Sequence, residues 1–255
     1  MKPREKVNAA INGEEIFPIP TDVFENAIHP ILAGKLCEHF GLDKVDHRGL
    51  IHALGAHFRW AKPAYIGPPL EEVFSERSAA FPFEKITRNM WGTFDGIESY
   101  ADLLLDRPLS SAETVADIET YNWPDPDWFN YERIGWFFTD DLGSYLLPSQ
   151  WAKKYSNYAR AAGSWNPVFC CIMDLFGMEK GLMHIASRSD LIHATVAHIG
   201  DFLEEYYKRL ARACKDYADI LCFGDDFAGQ NGMLLNPQKW REYFLPLWKR
   251  GLYLL

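Results

Sequence analysis

The segment that decides the fold is Ile220-Leu221-Cys222-Phe223-Gly224-Asp225-Asp226-Phe227-Ala228-Gly229-Gln230. Its first four residues form an apolar run typical of a buried strand, and a polar loop with two glycines follows. A helix is predicted next, because Asn236 is a favourable N-cap and Pro237 fits the first helical position. The segment therefore predicts one strand, loop and helix unit of a parallel α/β fold.

The loop of this unit carries the candidate catalytic residues, Asp225 and Asp226. In parallel α/β proteins the functional groups gather at the carboxyl ends of the strands. Neighbouring side chains on an extended backbone point to opposite sides, so one carboxylate is expected to bind a substrate and the other to brace the loop. Gln230 is the adjoining substrate-binding candidate. The alternative is that both aspartates only accept backbone N–H groups and cap the loop.

A long helix after Ser189 is the clearest secondary-structure prediction. Apolar residues recur at spacings of three and four through Ile192, Val196, Ile199, Leu203, Tyr206, Leu210 and Ala213. Strands are predicted before and after it, at Pro167–Ile172 and Asp219–Phe223. This alternation is the pattern of a parallel sheet covered by helices.

The first third of the chain predicts a less regular series. A helix is expected over residues 4–13, a brief strand at Ile16–Pro20, and two helical stretches that end at Gly41 and Gly55. An extended run over residues 58–65 follows, and a helix at 111–120 precedes an aromatic loop at 120–131.

Three further residues are candidates for binding a substrate. Asp22 follows the first predicted strand, and Asp174 follows the predicted strand that contains Cys170 and Cys171. Arg59 lies in the extended run, where a guanidinium can clamp a carboxylate or a phosphate. Helix capping is the alternative for the two aspartates, and an ordinary ion pair or exposure is the alternative for Arg59.

The composition limits the classes of molecule that the protein is expected to bind. The net charge is −9, with 35 acidic and 26 basic residues and no dense run of lysine and arginine, which argues against nucleic acid and an anionic membrane surface. No apolar signal peptide follows Met1, and no apolar run is long enough for a membrane span. The five cysteines show no Cys-x-x-Cys spacing, which favours the cytoplasm.

Several segments together resemble the uroporphyrinogen decarboxylase and cobalamin-dependent methyltransferase superfamily. They are Gly177-Met178-Glu179-Lys180-Gly181-Leu182, the long helix, the loop from Gly224 to Gln230, and the stretch from Asn236 through Trp240-Arg241 to Pro246 and Lys249. The resemblance implies one domain over residues 1–255 with a (β/α)8 TIM-barrel fold. It also implies an incomplete barrel, because relatives continue beyond Leu255 for about three more βα units.

The resemblance leaves three functions open. The first is methyl transfer to or from a small molecule, for which relatives use zinc, bound through a His-x-Cys motif, and a corrinoid partner. This chain has no His-x-Cys, so no metal ligand is predicted in it. The second is porphyrinogen decarboxylation, for which relatives use paired arginines that residues 18–29 do not supply. The third is an inactive binding or scaffold protein that self-associates through the unclosed edge of the barrel. The resemblance does not decide whether the chain is an enzyme.

Overall fold

A four-stranded sheet organises the computed structural model, which describes residues 1–23, 28–43, 46–74, 88–93, 107–136, 144–163 and 167–252. Its strands are β1 (Phe58–Tyr65), β2 (Phe129–Trp136), β3 (Ala159–Gly163) and β4 (Ile220–Cys222). Their order is β2-β1-β3-β4, and β3 runs parallel to both β1 and β4. A parallel ladder of this kind belongs to the predicted α/β class. Closure of the sheet into an eight-stranded barrel stays a prediction.

The helices are given in chain order. They are α1 (Pro3–Ile11), α2 (Pro30–His39), α3 (His47–Ala53), α4 (Leu70–Val73), α5 (Val115–Glu119), α6 (Pro148–Lys154), α7 (Val168–Phe176), α8 (Met178–Ser187), α9 (Ser189–Cys214), α10 (Pro237–Tyr243) and α11 (Leu245–Leu252). A 3-10 turn at Pro126–Trp128 leads into β2, and a small antiparallel pair, β5 (Ala228–Gly229) and β6 (Gly232–Met233), precedes α10. No helix among the described residues is both long and apolar enough to cross a bilayer.

The chain divides into two compact units. The first contains residues 1–63, 132–163 and 213–222, and the second contains residues 64–131, 164–212 and 223–255. A single domain over residues 1–255 stays a prediction.

The first unit is built on very small side chains in β1 and β3. Ala61, Ala159, Ala161 and Ala162 are completely buried, and Ala61 lies opposite Ala162 in the ladder. Gly163 ends β3 with φ +147°, a conformation that favours glycine, and a Cβ there would collide with the carbonyl oxygen of Cys222 in β4. The close approach of β3 and β4 therefore requires glycine at position 163.

The second unit is organised by α7, α8 and α9. The long helix α9 spans 26 residues, in agreement with the predicted apolar spacing, and Ile192, Ile199 and Leu210 are completely buried along it. In α10, the N-cap Asn236 accepts a hydrogen bond from the backbone N–H of Gln238 at 2.8 Å, as the sequence predicted. The strand predicted before this helix is confirmed as β4.

Two predicted strands are wrong. Residues Ile16–Pro20 form no strand: Phe17 is 94% exposed, and the prolines at 18 and 20 lack the N–H groups that a ladder needs. The strand predicted at Pro167–Ile172 is instead the start of α7, with Pro167 as the N-cap and residues 168–172 in the helix. Cys170, Cys171 and Asp174 are therefore helical.

Candidate functional site

Asp225 connects the loop after β4 to the first turn of α7. Its Oδ2 accepts a hydrogen bond from the backbone N–H of Phe169 at 2.6 Å, and its Oδ1 accepts one from Cys170 at 3.3 Å. Pro167, at the N-cap position, gives α7 no side-chain cap of its own. A carboxylate 56 positions later in the chain therefore serves as the cap, where the helix dipole favours negative charge.

Two opposing effects act on the Asp225 carboxyl. Burial raises its pKa, and hydrogen bonds from the backbone N–H groups of Phe169, Cys170 and Asp226 lower it. Burial is the larger effect, so the pKa stands above its usual value. The side chain is fixed by the backbone on two sides, which makes it a brace for the loop.

Asp226 has a different environment. Its backbone N–H donates to Oδ1 of Asp225 at 3.0 Å, while its own side chain is exposed. Within the described ranges no hydrogen bond or ion pair engages its carboxylate. The two neighbouring carboxylates therefore differ in availability, since one is engaged by the backbone and the other is open to a ligand.

The base of the loop is fixed by Phe227. Its ring packs against Phe169 at a centroid distance of 5.6 Å and against Phe244 at 5.2 Å. It also contacts the rings of Trp240 and Trp248, at 5.8 and 6.2 Å. Burial of such rings stabilises the loop at the point where it leaves the carboxylates.

Gln230 lies beyond this anchor, in the turn between β5 and β6. The turn has two residues, because Gly229 pairs with Gly232 across it. Both turn residues are exposed. Gln230 is thus at the tip of a small hairpin whose first strand starts two residues after Asp226.

Asp174 is in the second unit with Asp225, though not at the end of a strand. It lies in α7, and its Oδ1 is 3.5 Å from Nη1 of Arg107. Asp174, Asp225 and Asp226 all act electrostatically on Cys170, in the same helix. The sequence predicted all three aspartates as site residues, and Asp225 is the one that contacts Cys170 directly, through the backbone N–H of the cysteine.

The two cysteines in α7 are poor nucleophiles. Burial, followed by the negative charge of Asp225, raises the pKa of the Cys170 thiol to about 12. Cys171 is buried, and burial raises its pKa well above the usual value. A thiol with such a pKa is protonated at neutral pH, so both residues pack as small hydrophobes.

Asp22 belongs to the first unit. Its Oδ2 accepts a hydrogen bond from the indole Nε1 of Trp60 in β1 at 2.7 Å, and its Oδ1 accepts one from the backbone N–H of Val23 at 2.9 Å. Burial raises the pKa of its carboxyl and outweighs these hydrogen bonds and the positive charge of Arg59. The residue is therefore placed by β1 rather than by the strand predicted at 16–20.

Arg59, the second residue of β1, is only 5% exposed. Its Nη1 donates to the carbonyl oxygens of Ala56 and Phe58, at 3.0 and 2.6 Å, and its guanidinium lies 3.6 Å from the centroid of the Tyr158 ring. Burial lowers its pKa from the usual arginine value. These contacts engage Arg59 within the fold, near the amino end of its strand.

One charged cluster was not predicted from the sequence. Asp219, just before β4, accepts hydrogen bonds from the guanidinium groups of Arg4 in α1 and Arg160 in β3. Burial raises the pKa of Asp219, but the hydrogen bonds from Arg160 and Arg4 overcome it and leave the pKa below its usual value. The three residues lie far apart in the sequence, which gives no local sign of their contact.

No three His, Cys, Asp or Glu side chains are arranged to hold a metal ion in the part of the chain that the structure describes.

Comparison with known proteins gives one distant likeness. The sequence matches no family model, and no curated protein matches it. Among solved structures, a methyltransferase from Methanosarcina mazei is similar, with 15% sequence identity and a TM-score of 0.42. The alignment covers 99% of this chain and 67% of that structure.

Proposed function

We propose that this chain forms a barrel-type enzyme that transfers a methyl group between a corrinoid and a small-molecule acceptor. The substrate binds at the loop formed by residues 224–230, with the Asp226 carboxylate as its polar contact. The proposal combines the resemblance of this loop to the uroporphyrinogen decarboxylase and cobalamin-dependent methyltransferase superfamily with the chemistry of the loop itself.

The observation that carries the proposal is the difference in environment between the carboxylates of Asp225 and Asp226. Asp225 is engaged by the N–H groups of Phe169, Cys170 and Asp226, which fixes the loop before any ligand arrives. The Asp226 side chain is exposed, and none of the described residues bonds to its carboxylate. A ligand that displaces water from this carboxylate can therefore replace the lost hydrogen bond with its own. A preorganised loop with one open acceptor is what a small-molecule site needs.

The open carboxylate suits the proton balance of methyl transfer. A bound corrinoid would supply the methyl group to a thiol, amine or hydroxyl acceptor and would retain the electron pair of the bond that breaks. The acceptor forms the new bond to carbon and releases one proton. A positioned carboxylate that accepts a hydrogen bond from the acceptor orients it and takes up this proton, a contribution of typically about 10²–10⁴-fold.

Methylcobalamin demethylation, followed by absorbance in the presence of thiol, amine and hydroxyl acceptors, tests the proposal. We expect turnover by the wild-type chain and a fall of about tenfold or more in kcat/KM for Asp226→Asn, since about 1.4 kcal/mol corresponds to each factor of ten. Asp216→Asn is the matched control, because Asp216 is also exposed and lies outside the loop.

Two results would overturn the proposal. One is carbon dioxide release from a porphyrinogen with no methylcobalamin demethylation, which would establish the decarboxylase alternative. The other is equal activity of the Asp226→Asn and Asp216→Asn variants, which would remove the loop from the reaction.

A further inference from the structure

The backbone next to Asp22 is fixed at the start of β1. The backbone N–H of His57 donates to the carbonyl oxygen of Thr21 at 2.8 Å. The backbone N–H of Thr21 donates in return to Nδ1 of the His57 ring at 3.2 Å. These two hydrogen bonds join the residue before Asp22 to the residue before β1, so the position of Asp22 is set by the fold.

The Asp22 carboxylate is oriented through both of its oxygens. Oδ2 accepts the indole N–H of Trp60 at 2.7 Å, and Oδ1 accepts the backbone N–H of Val23 at 2.9 Å. Each oxygen of a carboxylate can accept two hydrogen bonds, so both retain the capacity to accept one from a ligand. Asp22 is partly exposed, which leaves this capacity within reach of solvent.

Trp60 lies on the more exposed face of the sheet. Residues 58, 60 and 62 of β1 are partly exposed, whereas residues 59, 61 and 63 are buried. Because side chains alternate between the two faces of a strand, Phe58 and Trp60 share a face. Their rings stack at a centroid distance of 6.5 Å. This face therefore presents a pair of aromatic rings next to the Asp22 carboxylate.

Cys222 in β4 belongs to the same face. The register of the ladder places Trp60, Ala161 and Ile220 in one row, and Cys222 follows Ile220 by two positions. Burial raises the pKa of the Cys222 thiol, and the negative charge of Asp22 adds to this effect. The thiol is therefore within electrostatic range of the carboxylate.

The electrostatics of Asp22 favour a positively charged ligand. Burial raises the pKa of its carboxyl, and neither the hydrogen bonds from Trp60 and Val23 nor the positive charges of Arg59 and His57 offset this effect. The ionised carboxylate is thus incompletely compensated by the protein around it. A cationic N–H donor supplies both a charge and a hydrogen bond, and aromatic rings favour a cation beside them.

We infer that Asp22 and Trp60 bind a small organic ammonium ion with an apolar body. The ammonium group donates to the Asp22 carboxylate, and the apolar body lies against the rings of Phe58 and Trp60. The inference concerns the first unit alone, and it does not depend on the function proposed for the loop of residues 224–230.

Benzylamine is the probe, because it joins an ammonium group to an aromatic ring and stays protonated at pH 7. Its binding is followed by nuclear magnetic resonance of the indole N–H of Trp60, assigned as the signal that Trp60→Phe removes. We expect this signal to shift with a Kd on the order of 1 mM. Benzoate has the same ring and the opposite charge, and it is expected to bind at least tenfold more weakly.

Asp22→Asn tests the charge of the carboxylate, because asparagine keeps a carbonyl oxygen and loses the negative charge. We expect the Kd of benzylamine to be at least tenfold weaker in this variant. Asp216→Asn is the matched control, because Asp216 is an exposed aspartate of the same unit, and its Kd is expected to equal that of the wild-type protein.

Three results would contradict the inference. They are a Trp60 signal that benzylamine leaves unmoved, benzoate binding as tight as that of benzylamine, and equal Kd values for the Asp22→Asn and Asp216→Asn variants. The comparison of the two probes uses the wild-type protein, so it decides the question even where Asp22→Asn fails to fold. None of these measurements involves methylcobalamin, so a negative result leaves the proposed function standing.

Discussion

The ion cluster around Asp219 provides a stability prediction that the geometry determines in some detail. The Asp219 side chain is 10% exposed, and those of Arg160 and Arg4 are 9% and 38% exposed. Arg160 contacts both carboxylate oxygens, at 2.9 and 3.2 Å, and its backbone N–H donates to Oδ2 at 2.9 Å. Arg4 approaches to 2.6 Å. The carboxylate therefore joins α1 and β3 to the start of β4.

Replacing Asp219 with asparagine leaves two guanidinium groups without their counter-ion. Removal of one partner from a buried ion pair costs about 3–5 kcal/mol, because the remaining charge stays desolvated. Arg4 is partly solvated, and exposed pairs contribute only about 0–1 kcal/mol. The free energy of unfolding is therefore expected to fall by about 2–4 kcal/mol. Arg160→Ala is expected to cost more than Arg4→Ala, since Arg160 is the more deeply buried cation.

Urea denaturation at pH 7, followed by far-ultraviolet circular dichroism, measures these differences. The pH dependence supplies an independent check. Because the pKa of folded Asp219 is below the unfolded value, its stabilisation is present above the unfolded pKa and is lost as pH falls through the folded pKa. The variant Asp219→Asn should lack this acid-sensitive part. A loss below about 0.5 kcal/mol, or equal costs for the two arginine variants, would refute the reasoning.

Two further predictions follow from close packing and from burial. Gly163→Ala is expected to destabilise the protein by more than about 2 kcal/mol in the same urea assay, because its Cβ would collide with the carbonyl oxygen of Cys222 and its φ is +147°. Gly34→Ala is the control, because Gly34 lies in open space within α2, and it should not destabilise the protein. Equal effects of the two variants would contradict the packing argument. Burial raises the pKa of Cys170 to about 12, so its thiol should resist maleimide at pH 7 in the folded protein and react in urea. Peptide mapping identifies the labelled cysteine. Rapid labelling of Cys170 in the folded protein would contradict its burial.

The sequence predicted elements well where the signal was local. The spacing of apolar residues located α9, and the pair Asn236 and Pro237 located the start of α10. The apolar run at 220–223 located β4. In each case the element is determined by residues within about one helical turn or one strand of each other. The pattern can therefore be recognised in the local sequence.

The strand β3 was missed because its residues have little intrinsic preference for strands. Its sequence, Ala159-Arg160-Ala161-Ala162-Gly163, contains no β-branched or aromatic residue. The strand forms because β1 and β4 pair with it on both sides, and because Gly163 permits the close approach of Cys222 in β4. Both causes lie in distant parts of the chain, and the composition of residues 159–163 alone does not indicate a strand.

The error at α7 has a related cause that bears on the site. The run from Val168 to Phe176 is buried on nearly every side, and such a run shows no period that separates a helix from a strand. The helix also lacks a local cap, and its cap is Asp225. The sequence predicts Asp225 only as part of the loop after β4, although the same carboxylate caps the start of α7. From the sequence, catalysis and capping of the loop are alternatives for the aspartate pair. The structure gives the capping contacts to Asp225 and leaves the Asp226 side chain exposed. The contacts of Asp225 with α7 therefore fix the backbone next to Asp226, whose N–H donates to Oδ1 of Asp225.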